Sequence, residues 1–168
     1  IFDAWSEWRP SGIFIDGGGV GGGVVDQCRA RQLHVFEIQF GGKDSITGIA
    51  ADTSGERYAN MRAAMAGATR SWLKSGILPL KNTEGADDLR NAMLAIRYTF
   101  NKKDEIQLVS KEDLMEDNPG LKLDDLDALF LTFGGPLAAT ADGGGEHPHT
   151  SLVESEYDPM ELYKKEVA

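Results

Sequence analysis

The first part of the chain alternates between short apolar runs and polar or glycine-rich segments. Residues 13–15, IFI, form a compact apolar run that is typical of a buried strand. Residues 34–40, HVFEIQF, alternate in polarity and are rich in aromatic side chains, which predicts a second strand. A helix is predicted between them, from the glycines to about Gln32. The opening DAWSEWRPSG indicates the end of an amphipathic helix that Pro10 and Gly12 terminate.

The middle of the chain has a helical pattern of apolar residues. A long helix is predicted from about Glu56 to Lys74, with Thr53 or Ser54 as its N-terminal cap. Gly76 is expected to stop this helix. A shorter helix is then predicted in EGADDLRNAML.

The next segment has the pattern of a hairpin followed by two helices. AIRYTF and EIQLVS are strand-like runs, and the polar turn NKKD separates them. Ser110 and Asp113 are spaced as in a capping box at the start of a helix. The last predicted helix, LDDLDALFLTF, has one apolar side formed by Leu123, Leu126, Leu129 and Phe130. This order of elements predicts an α/β fold whose mixed sheet includes an antiparallel hairpin.

Length and composition place these elements in one domain. The chain has 168 residues, of which 41% are hydrophobic, enough for an ordinary globular core. We expect this domain to span residues 1–133, and residues 134–168, rich in Gly, Pro and acids, to form a flexible tail. No apolar run is long enough to cross a membrane, and no signal peptide is expected. Cys28, the single cysteine, indicates either a reducing compartment or a small buried apolar residue.

Charge is distributed unevenly along the chain. The formal net charge of −10 disfavours nucleic acid as a partner. Residues 57–103, however, contain nine Lys or Arg and three acids, whereas residues 104–133 contain nine acids and two Lys. Such a pattern can be a DNA-binding face beside a metal site, although charge alone favours ordinary solvated helix faces.

The glycine-rich turn after the first strand has three interpretations. Residues 17–22, GGGVGG, match the G-x-G-x-x-G pattern of dinucleotide-binding turns. Two features oppose that interpretation: Asp16 would repel a pyrophosphate, and Glu37 lies inside the second strand instead of at its end. The absence of a Lys-Ser or Lys-Thr pair after the glycines excludes a Walker loop. The second interpretation is structural: the glycines allow close packing, and Asp16 caps the helix.

The third interpretation is a metal site. An Asp at the carboxyl end of a strand lies at the edge where α/β sheets bind ligands. Asp124 and Asp127 share a face of the last helix, and Asp127 borders its apolar side, where an unpaired carboxylate is costly. Asp16 and Asp127 together are therefore candidates to hold Mg²⁺ or Mn²⁺. Asp124 and Asp125 alternatively serve the helix dipole.

Several segments of this chain together resemble a known family. They are IFIDGGGVGGGVVDQCRARQ, the Gly-Gly-Lys after the second strand, RYANMRAAM, IQLVSKED and LDDLDALFLTF. They occur in the order expected for the C-terminal nuclease domain of tailed-phage terminase large subunits, and the resemblance covers residues 5–135. It implies a ribonuclease-H-like mixed sheet flanked by helices. It also implies an endonuclease that cuts concatemeric double-stranded DNA during packaging with two divalent ions, Mg²⁺ or Mn²⁺.

The resemblance also assigns roles to residues. It identifies Asp16 and Asp127 as metal ligands and catalytic acids, and Lys111 as a group near the metals that orients phosphate or water. A solvated lysine is the alternative for Lys111. Further side chains are candidates to contact the DNA backbone, with ordinary surface charge as the alternative: Lys43, Arg57, Asn60 and Arg62.

One departure from the family pattern concerns the first acid. In the family it lies on a strand that precedes the first helix, and this chain starts inside that helix. We therefore expect the first strand and its Asp to be missing, cleavage to be weak or absent, and the truncated sheet to self-associate. The alternatives are a non-catalytic packaging remnant that docks on portal or capsid, and a Rossmann-type nucleotide binder.

The resemblance finally implies a biological setting. A phage or prophage protein acting in the cytoplasm of a bacterial host is expected. Its expected partners are double-stranded DNA, the portal or procapsid and the terminase small subunit, without a membrane.

Overall fold

The computed structural model describes residues 1–43, 55–76, 78 and 84–135. The helices in this part of the chain are α1 (Phe2–Trp8), α2 (Gly21–Ala30), α3 (Met61–Leu73), α4 (Ala86–Ala95), α5 (Lys111–Asp117) and α6 (Asp124–Leu131). The strands are β1 (Ile13–Asp16), β2 (Val35–Ile38), β3 (Tyr98–Phe100) and β4 (Ile106–Leu108). The chain therefore has the predicted mixture of helices and short strands.

Helix α1 belongs to a different compact unit from the body of the domain, which begins at Gly12. It ends at Arg9, whose backbone is left-handed (φ 44°) and whose N–H donates to the carbonyl of Trp5 at 3.0 Å. The Arg9 guanidinium lies 4.3 Å from the centre of the Trp5 ring, where a cation is attracted to the π face. The predicted helix ahead of Pro10 is thus confirmed.

Strands β1 and β2 form a parallel pair with α2 as the connection between them. The register runs from Ile13 opposite Val35 to Asp16 opposite Ile38. Helix α2 packs against both strands, with Val25 and Cys28 buried along it. Cys28 is therefore a small buried residue with a free thiol, as one of the two interpretations predicted.

Helix α3 begins later than its sequence pattern predicts. It was expected from about Glu56 but starts at Met61, with Asn60 as the N-cap. Residues 57–59 instead pair with β4: the Ile106 N–H donates to the Arg57 carbonyl at 2.7 Å, and the Ala59 N–H donates to the Ile106 carbonyl at 2.8 Å. This pairing keeps the segment extended. The predicted caps, residues 53 and 54, lie outside the described residues.

Strands β3 and β4 form the predicted hairpin. Asn101 organises the turn, because its side-chain oxygen accepts from the N–H groups of Lys103 at 2.8 Å and Glu105 at 3.0 Å. The hairpin is antiparallel and, in the described part of the chain, forms a separate sheet from β1 and β2. A single mixed sheet therefore stays a prediction.

The core lies between α3, α5, α6 and the two sheets. Its largest fully buried side chains include Met61 and Met65 from α3, Leu114 from α5 and Leu126 from α6. Helix α6 packs against α3, α4 and β1. Helix α6 is consequently held beside β1, and the Arg62–Asp127 hydrogen bond connects its first turn to the start of α3.

Two further predictions concern the end of the domain and the membrane. The boundary at residue 133 stays a prediction, and the tail beyond residue 135 lies outside the described residues. Among the helices of the described segments, none has the length and apolarity needed to span a bilayer.

The N-cap of α3 provides a test of this fold. The Asn60 side-chain oxygen accepts from the Ala63 N–H at 3.0 Å. Asn60→Ala leaves that donor without its partner and should lower the free energy of unfolding by about 1 kcal/mol, measured by urea denaturation. Asn60→Asp retains the accepting oxygen and is the matched control. Equal stability of the Ala variant and the wild type would contradict the role of Asn60 as the cap.

Candidate site at the starts of α3, α5 and α6

Asp16 closes the turn at the end of β1. Its Oδ1 accepts from the Gly18 N–H at 3.0 Å, while the Gly17 N–H donates to the Ile38 carbonyl at 2.8 Å. The N-cap of α2 is Val20, and no side chain caps it. Asp16 therefore stabilises the turn and does not cap α2, contrary to the structural interpretation of this residue.

At two positions of the turn, sterics require glycine. A Cβ atom at Gly21 would lie 1.8 Å from the backbone oxygen of Asp16, so only glycine permits this approach of α2 to β1. Gly19 has a φ of +59°, in the left-handed region that disfavours other side chains. The structural interpretation of the glycine run is therefore correct for these two positions.

Asp127 is a buried carboxylate in the first turn of α6. Only 6% of this residue is exposed. Its Oδ1 accepts from Arg62 Nε at 3.0 Å. Its Oδ2 contacts the ammonium group of Lys111 as an ion pair, without the alignment of a regular hydrogen bond. Two cations from different helices thus share one carboxylate, and we call these three residues the Asp127 cluster.

Backbone and cap hydrogen bonds position Arg62 and Lys111 at the starts of their helices. The N–H groups of Met61 and Arg62 donate to the carbonyls of Gly42, at 2.8 Å, and Phe40, at 3.0 Å, which attaches the start of α3 to the segment after β2. Lys111 is the first residue of α5, directly after its N-cap Ser110. The Ser110 side chain accepts from the Asp113 N–H at 3.1 Å, as the capping-box pattern predicted.

The Asp127 cluster is unsuited to a two-ion metal centre. Hard divalent ions need several oxygen ligands and an excess of negative charge. In the described part of the chain, no three acidic, His or Cys side chains are grouped so that they could hold a metal. Asp127 faces two cations, so the cluster has a formal charge of +1. Asp16 and Asp127 therefore do not fit such a centre without a further carboxylate.

The residues predicted to contact DNA fall into two groups. Arg62 lies within the Asp127 cluster, and Asn60 caps the same helix. Lys43 and Arg57 instead form ion pairs with Glu105. Lys43 Nζ is 3.0 Å from Oε2, and Arg57 Nη2 is 3.8 Å from Oε1. Their roles as DNA contacts remain predictions.

Glu105 was not singled out in the sequence, although it connects the hairpin to Lys43 and Arg57. Its side chain is only 13% exposed, and the Asn101 amide donates to Oε2 at 2.8 Å. The Asn101 hydrogen bond and then the Lys43 ammonium hold the pKa of Glu105 below its ordinary value. No local sequence signal marks this residue, because Lys43 lies far away along the chain.

Asp16 and Asp127 lie on adjacent elements, since α6 packs against β1. Within the described segments, however, no hydrogen bond or ion pair connects Asp16 to the Asp127 cluster. The structure thus brings Asp127 together with Lys111 and Arg62. It leaves Asp16 as the accepting side chain of its own turn.

The turn after β1 also bears on the dinucleotide interpretation. Backbone N–H groups of such a turn bind the pyrophosphate. Here the Gly18 N–H already donates to Asp16, whose negative charge lies at the same place. The local geometry therefore opposes a phosphate in this turn.

These features define an α/β domain with a buried carboxylate shared by two cations beside the end of a parallel strand pair. Its fold is that of the nuclease domain of a phage terminase large subunit. One solved structure with this similarity is a lysine-to-alanine variant of the nuclease domain of the large terminase subunit gp2 of bacterial virus Sf6. It was solved with manganese and beta-thujaplicinol, and it has a TM-score of 0.57 and 19% identity, covering 81% of this chain and 70% of that chain.

Two further structures of the same Sf6 domain give similar values. One has a TM-score of 0.54 at 19% identity, covering 81% of this chain and 70% of that chain. The other, solved with calcium, has a TM-score of 0.53 at 18% identity, covering 80% and 69%. No protein-family model and no curated protein sequence matches this chain. The resemblance seen in the sequence is thus confirmed at the level of the fold.

Glu105 predicts a specific pH dependence of stability. Because its folded-state pKa lies below the ordinary value of 4.5, its stabilising contribution is present above that value and is lost as the pH falls through the folded-state pKa. Glu105→Gln should therefore lose less stability than the wild type between about pH 5 and about pH 3. Urea midpoints across this range measure the difference, with Glu116→Gln on the exposed face of α5 as the control. Parallel curves for Glu105→Gln and the wild type would refute the assignment.

Proposed function

We propose that this chain is a nuclease-type domain of a phage DNA-packaging terminase, with double-stranded DNA as its substrate. The observation that carries the proposal is the similarity of its fold to the Sf6 nuclease domain over most of the chain. The ordered sequence motifs support the same function independently. Arg62 and Lys111 in the Asp127 cluster add positive charge suited to a phosphodiester backbone.

In this proposal the reaction is metal-dependent hydrolysis of the DNA backbone. The Sf6 domain has been solved with manganese and with calcium, which supports divalent metal as the cofactor of the fold. Mg²⁺ or Mn²⁺ is the ion we propose for this chain, with Asp16 and Asp127 among its ligands and a further carboxylate needed to complete the centre. The proposed fold is a ribonuclease-H-like mixed sheet, and the described segments group no three acidic, His or Cys side chains that could hold a metal. We therefore propose that the chain alone cuts DNA weakly or not at all.

The proposed setting is a packaging motor of a phage or prophage in the bacterial cytoplasm. Portal or procapsid and the terminase small subunit are the proposed partners besides DNA. A non-catalytic packaging remnant is the second candidate function. One specific observation favours it: both oxygens of Asp127 already face a cation.

A plasmid-nicking assay with Mn²⁺ tests the proposed function. The wild type should nick supercoiled DNA slowly or not detectably above an EDTA control. Any cutting should disappear in Asp16→Asn and persist in Asp26→Asn, an exposed acid on α2 that serves as the matched control. Slow, Asp16-dependent nicking supports a nuclease, and no nicking despite DNA binding supports the remnant.

Other outcomes of this assay count against the proposal. Rapid nicking that Asp16→Asn abolishes would show that the wild-type centre is complete, which contradicts the proposed low activity. Nicking that is equal in Asp16→Asn and the wild type would remove Asp16 from the site. A chain that neither cuts nor binds DNA would contradict both candidate functions.

Self-association is a further part of the proposal. In the described part of the chain β1 pairs with β2 on one edge only, and an open edge presents unpaired backbone groups to a second chain. We expect the average mass measured by light scattering to rise with protein concentration. A constant monomer mass up to high concentration would oppose this expectation.

A further inference from the structure

The Asp127 cluster contains an unused hydrogen-bond donor. Arg62 Nε donates a hydrogen bond to Asp127 Oδ1 at 3.0 Å. Its Nη2 atom is buried and has no hydrogen-bond partner within the described segments. Because buried guanidinium N–H groups are normally paired, a donor in this state is suited to an acceptor that arrives with a ligand.

The charge of the cluster indicates which kind of acceptor this is. Arg62 and Lys111 together bring two positive charges to the single charge of Asp127. The formal excess of +1 favours an anion over a cation or a neutral group. Planar guanidinium groups bind phosphate oxygens with adjacent N–H donors, so a phosphate matches the unused end of Arg62.

The two cations differ in their exposure to solvent. The Arg62 side chain is 11% exposed, and its backbone is anchored to the Phe40 carbonyl. The Lys111 side chain is 38% exposed and forms an ion pair with Oδ2 of Asp127. Arg62 is thus the buried and anchored member of the pair, whereas the Lys111 side chain is partly exposed and open to a ligand.

We propose that Arg62 has two functions at its two ends: Nε positions Asp127, and Nη2, together with Lys111, binds a phosphate of the DNA backbone without any metal. This inference rests on the proposed function, because that function supplies DNA as the ligand. It goes further by separating backbone binding from the metal-dependent reaction. It also distinguishes Arg62 from Arg70, the exposed arginine of the same helix.

The test measures binding of a fluorescent DNA duplex in EDTA by anisotropy at several salt concentrations. Arg62→Met should weaken binding and lower the slope of log K against log salt by about 0.9, the value for one lost phosphate contact. Arg62→Lys keeps the charge but has one ammonium for two roles, so it should recover part of the affinity. Arg70→Met, on the exposed face of α3, is the matched control and should leave the slope unchanged.

A second variant changes binding in the opposite direction. Asp127→Asn removes the negative charge between the two cations while keeping the shape of the side chain. It should tighten DNA binding in EDTA, whereas the nuclease proposal predicts loss of any cutting by the same variant in Mn²⁺. The two proposals are therefore tested by separate readouts.

Three results would overturn the inference. The first is a folded Arg62→Met protein with wild-type affinity and slope, which would make Arg62 a structural partner of Asp127 only. The second is weaker binding by Asp127→Asn than by the wild type. The third is a wild type that does not bind duplex in EDTA. The nicking assay in Mn²⁺ would still test the proposed nuclease function separately.

Discussion

The buried carboxylate of Asp127 is the constraint on which the site depends. Three helix starts converge on it, because Arg62 lies in the first turn of α3, Lys111 begins α5 and Asp127 itself lies in the first turn of α6. Removing one partner of a buried ion pair typically costs about 3–5 kcal/mol, since the other charge is left in a low-dielectric environment. An exposed pair such as Arg29 with Glu37 contributes about 0–1 kcal/mol. The Asp127 cluster therefore restrains the relative placement of the three helices far more than the surface pairs do.

The same interaction explains why the two acids identified in the sequence are not equivalent. Asp16 is partly exposed and satisfies a backbone donor two residues away, a local contact typical of an aspartate in a turn. Asp127 is buried and needs cations from elsewhere in the chain. A site with one neutralised acid and one turn-forming acid has little net attraction for divalent ions. The shortage of negative charge lies in the arrangement of the described residues.

Local signals in the sequence predicted local structure well. The Ser110 cap, the hairpin turn, the first helix and the strand before the glycines all depend on residues within a few positions of one another. The start of α3 was predicted wrongly because its cause is non-local: residues 57–59 pair with Ile106 in β4. The partnership of Arg62 with Asp127 spans 65 positions and that of Lys43 with Glu105 spans 62, so neither follows from periodicity or composition. The sequence identified Arg62 as a basic residue of interest, but only packing shows that it is a buried partner of an acid.

The net charge of the whole chain does not describe the electrostatics of the Asp127 cluster. The total of −10 describes the force on a distant polyanion, and screening confines such forces to about 8 Å at physiological salt. Inside that distance a phosphate responds to the groups at the cluster, where two cations face one carboxylate. The acids at the start of α6 illustrate the difference, because Asp124 and Asp125 are exposed to solvent while Asp127 is enclosed by its partners. Burial, which weakens screening, gives the three charges of the cluster more influence on a bound anion than the larger number of solvated acids.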